Sequence, residues 1–298
     1  MMRPAYFMVL LLGMISYLIV DGRIIKPQAA TKYELQQRIL TGQEETPQQY
    51  SILTPAVTYS VQKLIGVVVV NNTKLRLYSF EIIALFSFIA FFLIFYFYLR
   101  IYFDENQSIT GLLIIQVVLS VVIQNIYTEA AIFNLTFFAI GLLLIAMKRD
   151  FILPLIITLG AMNQSQILAL LLFYMIYQFS IGILFKLRTI ITVIASLVCW
   201  LVVEGLLKSF YGLRIAGVTD ALAVVNFPAL IAITSILIFM SYKSLIIGDK
   251  VFKFSMLFAP LYILFALMLL PQANLLDLSP VLLFIIPPAL YLFAPRNS

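Results

Sequence analysis

Histidine is absent from this chain, and cysteine occurs once, at Cys199. There is therefore no imidazole base and no histidine metal ligand. A lone thiol also excludes an intramolecular disulfide and a Cys/His metal set. Charge is scarce as well. Only 11% of the 298 residues are Asp, Glu, Lys or Arg, where a soluble domain has about 25%. No P-loop, dinucleotide-binding glycine pattern, nucleophile elbow or internal repeat is present.

Apolar residues fill the space. They make up 63% of the chain, well above the roughly 45–50% of soluble domains. Such an excess exceeds the needs of a soluble core and fits a polytopic membrane protein. The net charge of +6 comes from basic residues scattered at the ends of apolar runs. That scatter is a topology signal, and nucleic acid is not expected as a partner. The first run begins after Arg3 and reaches Asp21 with no small-residue cleavage pattern, so it reads as a retained helix.

A hydrocarbon core takes about 20 apolar residues per helix. Ten candidate spans satisfy this loosely: 5–20, 78–98, 110–126, 131–147, 151–162, 166–185, 189–207, 225–247, 254–270 and 281–294. With a cytoplasmic N-terminus, the short inner connections collect Arg100, Lys148, Arg149, Lys186, Arg188, Lys243, Lys250 and Lys253. The short outer ones have no Lys or Arg, which is the positive-inside bias. The expected architecture is all-α. It is a single membrane domain, 1–298, of about ten spans, with a long outer loop at 21–77 and both termini cytoplasmic.

That loop is the main polar stretch. Thr31 followed by Glu34 reads as a capping box, Glu34 and Arg38 are four apart, and Gly42 stops the helix. A second helix is expected from Thr54-Pro55 to about Val70, with an apolar stripe of Val57, Val61, Leu64, Ile65 and Val68. Such a helix lies in the membrane interface. A second outer loop, 208–224, mixes Lys208, Tyr211 and Arg214 and suits lipid phosphate.

Two acids stand out. Asp21 sits where the first span emerges, and Glu129 lies in the outer turn between the third and fourth spans. At similar depth they could share a site, one as general base. Glu81 and Glu204 lie nearer span ends, and the turn Asn163-Gln164-Ser165-Gln166 could hydrogen-bond a sugar or phosphate. No ligand motif supports a metal, and no cofactor is specified.

One span, a long outer loop with interfacial helices, and many further spans with short connections resemble the GT-C class of integral membrane glycosyltransferases. The resemblance lies in layout, most clearly over residues 1–165. It implies sugar transfer from a polyprenyl-phosphate-linked donor to an acceptor at the outer face of a membrane, here a bacterial plasma membrane. It implies Asp21 as base and Glu129 as the second acid. Arg38, Arg23, Tyr50, Asn163, Gln164, Lys208 and Arg214 are then the expected substrate contacts, with Arg favoured for bidentate phosphate binding. The chain departs from the class in having Asp21-Gly22-Arg23 where paired acids often stand. Its expected partners are the lipid-linked donor and membrane lipids. A transporter or flippase, and a polysaccharide polymerase or ligase, are the alternatives.

Overall fold

The computed structural model describes residues 4–44, 48–123, 128–212, 235–248, 250–269 and 278–293. Every regular element among them is helical. The helices are α1 (Pro4–Val20), α2 (Lys26–Leu40), α3 (Leu53–Ile65), α4 (Asn72–Arg100), α5 (Glu105–Val122) and α6 (Thr128–Ala146). They continue as α7 (Leu153–Ala161), α8 (Leu168–Ser180), α9 (Leu187–Tyr211), α10 (Tyr242–Ile247), α11 (Lys250–Leu269) and α12 (Val281–Leu290).

Five helical stretches are long and apolar enough to cross a membrane: Pro4–Leu40, Asn72–Arg100, Glu105–Val122, Thr128–Ala146 and Leu187–Tyr211. Asp150–Ala161, Ser165–Ser180 and Val281–Phe293 are apolar but shorter. The protein therefore has the character of an integral membrane protein. Much of the eighth candidate span, up to residue 234, and most of the second long loop fall outside the described residues.

The centre of the bundle is aromatic. α4 buries Phe88, Phe91, Phe92 and Phe95 against α1 and α6. α12 is buried from Val281 to Leu290, so it is apolar on every side. Phe284 at its middle meets Phe173 of α8 at 5.1 Å and Phe258 of α11 at 5.0 Å, ring centre to ring centre. Close backbone approach joins α1 to α4: a Cβ on Gly13 would lie 3.1 Å from the Ile89 Cα. Backbone cannot yield as a side-chain tip can. Gly13→Ala is expected to destabilise the protein by about 1–3 kcal/mol, read as a lower unfolding temperature in detergent.

The stretch after the first span departs from the sequence expectation. Asp21 is not in a turn. The chain passes from α1 through one π-helical turn, Asp21–Ile25, directly into α2. Thr31 consequently lies inside α2 and not at its start. The backbone bends at Gln28 (φ −115°, ψ 16°), just after Pro27. A proline ring crowds the carbonyl four residues back and bends a helix in this way. The other end follows expectation. Gly42 adopts φ +73°, its N–H bonds the Ile39 carbonyl, and the Gln43 N–H bonds the Arg38 carbonyl. That is a Schellman stop, and the left-handed position favours glycine.

α3 ends at Ile65, earlier than expected, and presents its faces in an unusual sense. Thr54, Thr58 and Gln62 are buried against the protein, while Leu64 and, just beyond the helix, Val67 and Val68 are exposed. In water this would be inverted. Exposed apolar residues of this kind are costly in water and not in lipid.

These elements define two ends of the bundle. The polar end carries the α1–α2 junction, α2, α3 and the start of α6. The basic end carries the connections after α4, α6 and α8.

Candidate functional site at the polar end

The buried stripe of α2 is Lys32, Leu35, Gln36 and Ile39, spaced i, i+3, i+4, i+7. A lysine and a glutamine thus occupy positions that the period assigns to the core. Lys32 is 3% exposed and pairs with Glu129, which is 6% exposed at the start of α6. The Lys32 ammonium also lies 5.7 Å from the centre of the Phe80 ring on α4. Glu129 sits in the first turn of α6, where the helix dipole favours a negative charge. Its second oxygen, Oε1, is buried with no hydrogen-bond partner among the described residues.

This pair lines a cavity of about 50 Å³ between α2, α3, α4 and α6. Gln36, Thr54, Thr58 and Phe80 contribute to the wall. The volume suits a few water molecules and no sugar. Polar ties brace the wall. Gln36 Nε2 donates to the Pro55 carbonyl at 3.1 Å, and Gln62 Nε2 donates to Gln36 Oε1 at 3.3 Å. Thr54 Oγ1 donates to Asn163 Oδ1 at 2.7 Å, and Asn163 Nδ2 donates to the Ala130 carbonyl at 2.7 Å. Asn163 therefore clamps α3 to the start of α6.

Asp21 forms a neighbouring but separate group. It is 3% exposed and accepts from Lys26 at 2.5 Å. Glu81 lies 3.9 Å from the same ammonium. Asp21 Oδ1 is buried with no hydrogen-bond partner among the described residues. The π-turn makes the Asp21–Lys26 pair. In an α-helix residues five apart point well away from each other, whereas a π-turn brings i and i+5 into hydrogen-bond register. Glu81 and Phe80 are successive residues of α4, so the two lysine–acid groups flank one turn of that helix.

A third polar group lies at the far end of α9. Glu204 accepts from Ser165 and pairs with Lys208 at 3.3 Å. Trp200 Nε1 donates to the Ser165 carbonyl at 3.2 Å. Tyr50 donates to the Gly212 carbonyl at 3.0 Å. Burial raises the Tyr50 phenol above its ordinary pKa, with Lys208 opposing and Glu204 reinforcing, so it remains a neutral donor.

The residues singled out from the sequence are therefore spread over three groups. Asp21 and Glu129 do not share one ion pair: each has its own lysine. Of the expected contacts, only Glu129 lines the cavity. Arg38 bonds Glu44 through Nε at 2.8 Å, away from the acids. Arg23 donates to the Ser120 carbonyl at 3.3 Å, Asn163 is a clamp, and the Gln164 N–H bonds the Gly160 carbonyl at 2.7 Å. Lys208 belongs to the Glu204 group, and Arg214 lies outside the described residues. Sequence reasoning missed Lys32, Lys26, Gln36 and Gln62. A lysine in phase with Leu35 and Ile39 was the available signal for the first. No group of three or more acidic, cysteine or histidine residues gathers as a metal site among the described residues. No family model matches the chain, and no curated protein or solved structure matches it either.

Proposed function

We propose that this chain is a membrane-embedded glycosyltransferase with a GT-C-like layout of about ten spans. On this reading it moves a sugar from a polyprenyl-phosphate-linked donor to an acceptor hydroxyl at the polar end. That end faces outward from a bacterial plasma membrane, and both termini are cytoplasmic. One observation carries the reading. Glu129 is buried on a cavity wall with one oxygen held by Lys32 and the other without a partner among the described residues. An unpartnered carboxylate oxygen is poised to accept a proton.

In this mechanism Glu129 takes the acceptor's hydroxyl proton. The acceptor oxygen then bonds the sugar's anomeric carbon as the bond from that carbon to the phosphate oxygen breaks. The electron pair leaves on polyprenyl phosphate, whose charge Lys32 and the exposed Lys26 offset. Glu129 thus replaces Asp21 as the base, because it reaches the cavity, and Asp21 holds Lys26. A cavity of about 50 Å³ does not admit a sugar, so the donor enters by displacing α3, whose exposed side carries Tyr59 and Leu64 beside Ser60 and Lys63.

The test is direct. Proteoliposomes of the purified protein receive a panel of polyprenyl-phosphate donors with radiolabelled sugars. Transfer with release of polyprenyl phosphate is expected, and a folded protein inert across the panel would refute the proposal. The transport alternative draws on a different observation, the buried polar atoms of Ser16, Asn134, Gln178 and Ser196 within the bundle that have no partner among the described residues. A transporter or flippase would move label across the bilayer without a covalent product, and a polymerase or ligase would lengthen a glycan chain.

A further inference from the structure

At the basic end, remote from the acids, α7 and α9 part to leave an open groove of about 370 Å³. Its lining is Phe151, Pro154, Leu187, Ile191 and Ala195 with two polar residues, Arg188 and Thr192; the Thr192 hydroxyl is turned back onto the Arg188 carbonyl at 3.0 Å. From Leu187 to Ala195 it follows two turns of α9, roughly 12 Å at 1.5 Å per residue. Phe151, Leu187 and Ile191 are exposed, as a wall in contact with an alkyl chain would be.

The mouth is strongly cationic. The connection after α6 carries Lys148 and Arg149, Lys186 immediately precedes α9, and Arg188 is in its first turn. Arg188 ties the two together: its Nη2 donates to the Lys148 carbonyl at 2.9 Å and to Asp150 at 2.5 Å. Asp150 is also held by the Tyr174 hydroxyl. Arg188 Nε and Nη1 have no protein partner among the described residues, and neither Lys148, Arg149 nor Lys186 forms an ion pair there. Arg188 is thus paired with one buried, doubly engaged acid, and Lys148, Arg149 and Lys186 lie within two residues of that pair along the chain. The described helix that follows α9 in sequence, α10, packs on α11 and α12.

We infer that this groove binds an anionic phospholipid of the adjacent leaflet. One acyl chain lies along α9 between Phe151 and Ala195, and the phosphate is held by Arg188 with Lys148, Arg149 and Lys186 around it. Two features favour this occupant. The apolar wall and the cationic mouth are contiguous and ordered as the tail and head of a lipid. The excess of positive charge at the mouth complements an anionic headgroup and gives a zwitterionic one little advantage. Arg188, already oriented by Asp150 and Lys148, presents its remaining N–H groups with little further loss of freedom.

The bond pattern supplies a clean test. Lys148 has φ +58°, a left-handed position that glycine adopts more readily than any residue with a Cβ. Lys148→Gly therefore removes a charge without straining the backbone. One variant combines Lys148→Gly, Arg149→Gln and Lys186→Gln and leaves the Arg188–Asp150 pair intact. A second, Ala195→Phe, fills the groove and leaves the cations in place. Each protein is extracted from vesicles of equal phosphatidylglycerol and phosphatidylcholine, and retained lipids are identified by native mass spectrometry. Wild type is expected to keep phosphatidylglycerol in preference, and the charge variant to lose roughly fivefold of that preference per cation removed. Ala195→Phe should lose the retained lipid itself. Equal retention of the two lipids by wild type, or unchanged retention in either variant, would overturn the inference. Neither variant touches the polar end, so sugar transfer, if present, reports separately.

Discussion

Replacing Glu129 by Gln lowers the rate of sugar transfer by roughly 100- to 10,000-fold, the range seen when a general base is removed. Gln preserves the shape of the side chain and leaves an oxygen for Lys32. What disappears is the negative charge and the capacity to take a proton. Loss of activity could also follow from instability, because the change leaves Lys32 as a buried cation without its carboxylate. The double variant Lys32→Met, Glu129→Gln removes that charge as well. It should fold normally and remain inactive. Single-turnover transfer from a radiolabelled donor is the measurement. A double variant with wild-type rate would exclude Glu129 as base. Asp21→Asn in the same assay distinguishes the two acids. It is expected to raise the donor KM, since it unties Lys26, and to leave kcat largely unchanged.

Lys32→Ala is expected to have the largest effect on stability, about 3–5 kcal/mol, the usual result of breaking a buried ion pair by removing one partner. Lys32 and Glu129 are each buried almost completely, and both lose hydration on folding. Their attraction, together with the Phe80 ring, offsets that loss only while both are present. With Lys32 gone, Glu129 is a carboxylate in an apolar wall. The paired replacement Lys32→Met, Glu129→Leu should recover most or all of the loss, because apolar groups of similar volume incur no desolvation cost. Denaturation midpoints in a mild detergent measure both. If Lys32→Ala unfolds like wild type, the pair is exposed to water in solution and the buried site is wrong.

These two predictions separate roles that the sequence merged. Asp21 and Glu129 looked like one carboxylate pair because both sit at the polar ends of spans. Depth along a span is legible from hydropathy, but the lateral position of a residue around the bundle is not. Asp21 lies on one side of the first turns of α4 and Glu129 on another, each with a lysine that sequence spacing did not couple to it. Lys26 was invisible because the i, i+4 rule assumes an α-helix, and the π-turn at Asp21–Ile25 changes the rule to i, i+5. Lys32 was legible in principle, being in phase with Leu35 and Ile39, yet its partner is 97 residues away.

The helix at 53–65 is a second case. Its amphipathic period was evident from Val57, Val61 and Leu64. Which face turns inward depends on what it packs against. Gln36 and Asn163 offer hydrogen bonds, so Thr54, Thr58 and Gln62 turn in, Val57 and Val61 are left half-buried and Leu64 is exposed.

By itself the sequence determined the all-helical class, the membrane as solvent, the scatter of cations at helix ends and the stop at Gly42. All of these follow from composition and short-range periodicity, which act within a few residues. Only the tertiary structure decided which lysine meets which acid, which side of α3 is the inside, and that a basic mouth opens on an apolar groove between α7 and α9. Those are contacts between helices far apart in the chain, set by packing around the Phe-rich core, and no local rule carries them.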